Sequence, residues 1–576
     1  MLALHLKSRW IPYQTCSCEI SKKGQSPSQR SNGGETRMGI ATDEPRQTSV
    51  FIAGGGPVGL AMSLLLDRFG IDCVVVERSP TTTDHPKSRG CWVRTMEIFR
   101  QWGIEQAIRD RGLQDNSDMF VFLDSIAGHE FGRTRPEPNV GHTPAWKSLV
   151  AQDAVEEEIL RVVEKSRHAT VLFNTSCESF EETNSGVNVT TRCEKTGEVT
   201  QWTATYLIAA DGAGSQTRRS AGIDMVGPST LAVMSNEYWR ADLSRLPIAR
   251  EAAGFIIVPD KPDLPRAGIL NTNGRDRWLT VTQIGLTKDD RERAWTDQEF
   301  IEIARGHVGI PDLDVTLLNR SIWRVSMQVA ESFRKGRVFL VGDCAHRFPP
   351  TGGFGLNSGV QDAHNLAWKL AFVLKGLADE KLLDSYTSER RPIAQSNANF
   401  SYGNRLRFGL TDDAVRSRDP DRIRFWINDM DNHLHSIGQN LGHNYEEGAV
   451  IPDGTVAKAL NSRHYTPTDR PGARFPHMWL EPSRKKSTLD WFDKAFTVVA
   501  GPLGHEWLEA GKQVSEKTAL PVALKQLPSA DPADGFQLGM RGAVLVRPDG
   551  HVAWRMPWLP SDPAKELAGA LSTLLH

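Results

Sequence analysis

The sequence has few cysteines, no long apolar run and no surplus of charge of either sign. Its seven cysteines, at 16, 18, 73, 91, 177, 193 and 344, are odd in number and irregular in spacing, with no C-x-x-C. This argues against a disulfide scaffold or a zinc site and for a reducing, cytoplasmic compartment. The longest apolar stretch, Val50 to Leu66, is broken by Gly54-Gly55-Gly56-Pro57 and is too short to span a bilayer. Lys and Arg total 68 against 70 Asp and Glu, so no global field draws nucleic acid or anionic lipid. Internal repeats, metal-ligand clusters and Ser-His-Asp spacings are also missing.

What remains is a globular composition, 39% apolar and 24% charged, over 576 residues. That length predicts about three to four domains. Residues 1–46 stand apart. The run from Cys16 to Arg37 is rich in Ser, Lys and Gly without apolar period, which predicts a disordered tail. A targeting peptide is the sharper alternative, and Met38 leaves an over-extended gene start open.

From Ser49 the pattern is strand, glycine turn, helix, strand: SVFIAG, GGGPVGLAMSLLLDRFG, DCVVVERS. This is a βαβ unit of about 30 residues. Strand candidates follow at ATVLFNT, VNVTT and VTQWTATYLIAA, then at GFIIVPD and RWLTVTQIG. They predict an antiparallel sheet set against the first unit. A helix is expected over 359–375, with Asn357-Ser358 as its cap. Residues 400–470 read as polar and loop-rich. A last unit begins near 470, with AFTVVAG and a hairpin around Pro548-Asp549-Gly550.

Three segments carry chemistry. Gly54-x-Gly56-x-x-Gly59, with Pro57 opening the helix, follows a strand; Glu77 lies 23 residues after Gly54 at the end of the next strand. Glycine permits close backbone approach to a pyrophosphate, and a strand-end carboxylate accepts from ribose hydroxyls. Asp211-Gly212 ends the strand TYLIAADG. Gly342-Asp343 ends GRVFLVGD and precedes the glycine-rich loop with Gly352, Gly353 and Gly355. Taken singly, Asp211 and Asp343 also read as turn or cap residues.

Together these segments resemble the single-component FAD-dependent aromatic monooxygenases, the p-hydroxybenzoate and phenol hydroxylase type. The matching pieces are GGGPVGL, Glu77-Arg78, RTME at 94–97, Asp211-Gly212 and GDCAHRFPPTGGFGLNSGVQDAHNLAWKL at 342–370. The resemblance covers roughly 48–400. It implies FAD held by Glu77 at the adenosine ribose and by Asp343 at the ribityl chain. Arg94 and Gln152 match positions near the pyrophosphate and ribityl, and Leu356 and Asn357 match the loop whose backbone contacts the flavin ring. Pro350 matches the proline beside the oxygen-reacting face. The tail, especially LVRPDGHVAWR, looks like the thioredoxin-like C-terminal domain of the larger members. Without cysteine it has no dithiol chemistry, and a structural or homodimer-forming role is the expectation.

The implied architecture is α/β. It has a Rossmann-like FAD-binding domain in two parts, 47–225 and 321–400, and an antiparallel-sheet substrate domain over 226–320. A connecting region over 401–465 leads to the thioredoxin-like domain over 466–576. The implied reaction uses NADH or NADPH and O2, through a flavin C4a-hydroperoxide, to hydroxylate a phenolic or polyketide-derived aromatic substrate in secondary metabolism. No second G-x-G-x-x-G marks a nicotinamide domain, and the resemblance implies none is needed. On the strand segment Ser235–Arg240, period two puts Asn236, Tyr238 and Arg240 on one face. Tyr238 and Arg240 are therefore candidates to bind and polarise a substrate hydroxyl. His346 reads as structural. Two alternatives stay open: Baeyer–Villiger oxygen insertion into a cyclic ketone, and a non-catalytic FAD-fold binding protein. The halogenase motif W-x-W-x-I-P is not found.

Overall fold

The computed structural model describes residues 44–114, 117–287 and 295–576. The tail expected over residues 1–46 lies, up to residue 43, outside the described residues. Strands expected from apolar runs form a parallel sheet in the order Val338–Leu340, Val199–Ala209, Arg46–Ala53, Cys73–Glu77, Ala169–Phe173. Their unbroken Val, Ile and Ala stretches suit strands covered on both faces. An antiparallel flap, Thr175–Glu182 with Val187–Cys193, continues from Val199–Ala209. The helices Pro57–Arg68 and Phe354–Leu374 cross closely over this sheet. A Cβ at Gly359 would lie 2.4 Å from a Val58 methyl, so only glycine permits the crossing.

The second sheet has seven strands, in the order Thr316–Val325, Ala232–Arg240, Arg277–Gly285, Ala267–Asn271, Gly254–Ile257, Phe120–Leu123, Glu130–Arg133. It is antiparallel except where Gly254–Ile257 runs parallel to Phe120–Leu123. Two of its strands thus come from well before residue 226. Helix Asp297–Val308, started by a Thr296/Glu299 capping box, covers one face, with Phe300 against Trp239.

Of residues 400–470, expected to be loop-rich, the part up to 441 is mostly helical: Ser385–Ser417 runs into it, and Pro420–Asp429, Asp431–Leu434 and Ile437–Leu441 follow. The long helix hides from a hydrophobicity pattern because polar residues interrupt the apolar ones on its buried side. Asn397, Ser401, Asn404 and Thr411 are all buried, and Asn397 and Asn404 donate to Ser358 and the Thr351 carbonyl. The last unit is a four-stranded sheet, Val522–Gln526, Phe496–Ala500, Ala543–Val546, Val552–Met556, with helices His505–Thr518 and Pro563–Leu575. Its βαβ start and antiparallel finish are thioredoxin-like, and the hairpin stands at the expected place. Phe496 packs edge-on against Trp368 and Phe372 of Phe354–Leu374. No helix among the described residues is long and apolar enough to cross a membrane.

Candidate active site

The three glycines after the first strand do three different things. Gly54 has φ +111°, and a Cβ there would lie 2.3 Å from the Ala210 carbonyl oxygen; its absence lets the next strand close in. A Cβ at Gly59 would lie 1.9 Å from the Gly54 carbonyl oxygen, so this glycine sets the helix against the turn. At Gly56 a Cβ would meet nothing within 4 Å. That open space sits at the N-cap of Pro57–Arg68, where amide N–H groups and the helix dipole favour an anion. Pro57, at the first helical position, has no N–H to leave unpaired. Glu77 accepts the Gly55 N–H and the Ser79 N–H, each at 2.9 Å, which orients its carboxylate and leaves lone pairs for a diol. Arg78 beside it is exposed.

Asp343 lies deep in the fold yet open to solvent, and accepts no hydrogen bond from another described residue. Burial raises its carboxyl above the ordinary range; His346, Arg347 and Lys87 oppose this only in part. A Cβ at Gly355 would come within 3.9 Å of its Oδ1, which places the glycine loop beside the carboxylate. Gln152 opens helix Gln152–Val163; its N–H donates to the Ser88 carbonyl (2.9 Å) and its Nε2 to Glu156 (2.7 Å). Pro350 is exposed and begins the short 3-10 turn Pro350–Gly352. Gly353 follows at φ +66°, where a Cβ would strike the Trp92 ring, and Leu356 is buried below it. An open turn at a helix N-terminus, one oriented strand-end carboxylate and one unpartnered carboxylate at a glycine loop fit a flavin dinucleotide.

Four expectations need correction. Arg94 does not reach toward the glycine turn: it is buried, donating to Glu97 (3.0 Å) and to the Asp549 carbonyl (2.6 Å). Its place on the face of helix Val93–Gln101 turned to the C-terminal unit decides this. Asp211 is a local cap: its carboxylate accepts from Ser215, from the Thr217 N–H (3.1 Å) and hydroxyl (3.0 Å), and from the Cys344 thiol. The open position beside it is Gly212, where a Cβ would meet nothing. Arg240 is the exposed last residue of its strand and pairs with Asp276 at 3.5 Å. Asn357-Ser358 does not cap the helix, which starts at Phe354. Instead Asn357, fully buried, accepts the Trp92 N–H (2.8 Å) and donates to the carbonyls of Gly90 (2.9 Å) and Gly353 (2.7 Å). His346 is structural, paired with Asp362 at 2.7 Å.

Tyr238 is buried, and its hydroxyl accepts from Arg277 at 3.3 Å. That bond raises the Arg277 guanidinium above its ordinary value. Arg277 thus stands where sequence reasoning had put Arg240. The two are register partners on adjacent strands, and only strand pairing reveals the exchange. His85 was missed as well. Its ring is edge-on to Tyr238, with Nδ1 2.5 Å from Asn319 Oδ1 and Nε2 3.3 Å from Ser321 Oγ. Burial lowers the imidazole, so it stays neutral at pH 7. Lys87, two residues on, is the exposed cation whose field reaches Asp343. No turn or period marked this loop.

Residues 47–401 match the family described as FAD binding domain, and residues 468–576 match aromatic-ring hydroxylase, C-terminal. Tetracenomycin A2 monooxygenase-dioxygenase of Streptomyces glaucescens is 36% identical over 568 residues, covering 92% of this chain and 97% of that protein. 4-Methyl-5-nitrocatechol 5-monooxygenase of Burkholderia sp is 32% identical over 558 residues, covering 93% and 99%. Among solved structures, the flavin-dependent monooxygenase PieE in complex with FAD and substrate superimposes with a TM-score of 0.85 at 31% identity, over 92% of this chain and 100% of that one.

Proposed function

This chain belongs to the FAD-dependent aromatic-ring hydroxylases, and from that premise we propose that it uses NAD(P)H and O2 to hydroxylate a phenolic, polyketide-like aromatic compound. It is an FAD-dependent monooxygenase; the substrate class and the roles of individual residues are the proposal. The balance is one aromatic C–H, O2, NAD(P)H and a proton giving the phenol, water and NAD(P)+. Bound FAD supplies the redox chemistry, accepting hydride from the nicotinamide and activating O2.

The chain's own residues bind and orient. Gly56 and the amides after it would hold the pyrophosphate, Glu77 the adenosine ribose, Asp343 and Gln152 the ribityl chain, and the Gly353–Asn357 backbone would receive the flavin ring. Tyr238 takes the substrate hydroxyl as hydrogen-bond partner. Arg277, donating to the same tyrosine oxygen, biases that hydroxyl toward phenolate, whose ring carbon is the better nucleophile. The sheet face and Pro350 keep water from the reacting carbon. The observation that carries this reading is the buried Tyr238–Arg277 pair, with His85 edge-on to the tyrosine ring.

The test is NADH and NADPH consumption by the yellow protein with a panel of phenols, anthraquinones and cyclic ketones, with products read by mass and NMR. Stimulated consumption and one oxygen added at a ring carbon is the expected result. An ester product would reassign the reaction to Baeyer–Villiger insertion, and a flavin that no compound stimulates would remove the substrate class. The homodimer expected of the C-terminal unit is checked separately by light scattering of the holoenzyme.

A further inference from the structure

Two buried sets of hydrogen-bonded charges, joined through the adjacent residues Glu389 and Arg390 of one helix, lead from the C-terminal unit to the Gly342-Asp343 segment. It starts in the hairpin turn, where Arg547 is fully buried and forks onto Glu389 at 2.7 and 2.9 Å and onto Asp549. Glu389 lies on helix Ser385–Ser417. Its Oε2 also accepts from Lys369 Nζ at 2.7 Å and Asn365 Nδ2 at 2.6 Å, both on the flavin-loop helix Phe354–Leu374. The next residue, Arg390, donates to Asp362 Oδ1 at 2.8 Å. Asp362 Oδ2 accepts the Gly342 N–H at 3.2 Å and pairs with His346 at 2.7 Å. His346 stacks on Phe348, two residues before Pro350.

Each link is buried, so each charge needs its partners: an ion left alone out of water costs far more than a surface pair returns. Burial by itself raises the Glu389 carboxyl, but Arg547 and Lys369 outweigh it and hold it down at about 2. Lys369 in turn is pushed down to about 8 by burial, against the pull of Glu389. A cluster like this adds little net stability over an apolar one, but it admits few geometries. The last unit contains no cysteine, so dithiol exchange gives it no purpose.

We propose that the C-terminal unit is a positioning element for the cofactor loop, acting through Arg547 on the helix that carries residues 354–374. The unit touches no cofactor on this account; it fixes the helix whose first turn and whose Asp362 hold the Gly342–Asn357 backbone in its binding shape.

The test uses the full-length protein with Arg547→Met, Arg547→Lys and, at the same unit boundary but off this path, Arg100→Ala. Arg100 pairs with Asp490 near the surface. Three readouts are taken: hydrogen exchange of peptides over 340–357 in the apo form, the FAD dissociation constant, and the visible spectrum of the bound flavin. Arg547→Met should speed exchange over 340–357, weaken FAD about tenfold and shift the flavin bands, while peptides over 496–526 keep their protection. Arg547→Lys should restore part of each, and Arg100→Ala should change none. Unchanged loop exchange and FAD affinity in folded Arg547→Met would overturn the proposal, as would an equal effect of Arg100→Ala. Should Arg547→Met not fold, Arg547→Lys and Asp549→Asn decide: loop exchange equal to wild type in both overturns it.

Discussion

Adding one methyl group at Gly56 and at Gly59 should give opposite results. In Gly59→Ala the new Cβ falls 1.9 Å from the Gly54 carbonyl oxygen and 3.4 Å from Ala210 Cβ. Backbone must move, and overpacking of this kind costs about 1–3 kcal/mol. In Gly56→Ala the methyl enters open space at φ −71°, a conformation alanine accepts. Loss of glycine's N-cap preference, up to about 1 kcal/mol, is offset by a stiffer unfolded chain, about 0.4–1 kcal/mol. The apo protein should therefore unfold in urea within about 1 kcal/mol of wild type. The same methyl stands where the pyrophosphate must approach the amides. Losing one charge-assisted bond costs about 1.5–3 kcal/mol, or about a tenfold to hundredfold rise in the FAD dissociation constant. The assays are urea unfolding of apo protein followed by tryptophan fluorescence, and FAD titration by fluorescence quenching. The assignment of three separate roles is refuted if Gly56→Ala destabilises the apo form as much as Gly59→Ala, or binds FAD like wild type.

Other outcomes follow from the same geometry. Tyr238→Phe and Arg277→Ala should each lower substrate-stimulated turnover about a hundredfold, with FAD content intact, whereas Arg240→Ala should stay within about twofold; a large Arg240 effect would restore the sequence-based choice. Asp343→Asn should weaken FAD yet stabilise apo protein at pH 7. Its carboxyl is raised in the fold, so the penalty is present at neutral pH and disappears as pH falls below the ordinary value near 3.9; denaturation midpoints at pH 7 and pH 4 decide. His364, His443 and His551 line one small cavity, and burial lowers them to about 3, 3 and 4. Depressed histidines stabilise above their unfolded value near 6.5 and lose that stability as pH falls below it, by about 1.4 kcal/mol per pH unit for each group. Urea midpoints should drop steeply from pH 6.5 to 5; a flat profile contradicts their neutrality. Truncation after residue 450 should yield insoluble chain rather than a tidy monomer, since it uncovers Trp368 and Phe372 and strips Glu389 of Arg547; a soluble, FAD-binding fragment in size-exclusion chromatography would disprove this.

Much of the parallel sheet was legible because its signals are local: an apolar run, a glycine turn, a carboxylate at a strand end. Glu77 and Asp343 stand out in the sequence on those signals alone. Arg240 and Arg277 show where such reading stops. Both are strand arginines, directly opposite each other, and the bond to Tyr238 comes from the one on the neighbouring strand, which no local pattern displays. Arg94 sits in a recognisable motif, yet its partners Glu97 and the Asp549 carbonyl include one 455 residues away. The helix Ser385–Ser417 was unreadable for another reason: its buried face mixes apolar residues with polar ones satisfied by hydrogen bonds that composition cannot display. The His85 loop has no period at all, and its role comes only from lying across Asn319 and Ser321.

The order of strands in the parallel sheet sets a schedule for the ribosome. Ile52 pairs with Ile208, and Ile208 with Phe339, so the strand Arg46–Ala53 waits for about 150 residues before this second neighbour exists, and Val338–Leu340 comes about 130 residues later still. At about 5–20 residues per second this leaves Val50–Ile52 without that partner for roughly ten to thirty seconds in each nascent chain. Such an unpaired, apolar, β-prone edge is what aggregates or recruits a chaperone. Production in a foreign host should accordingly respond more to cooler growth and to holdase supply, which protect that interval, than to added riboflavin, which acts only once residue 343 has emerged.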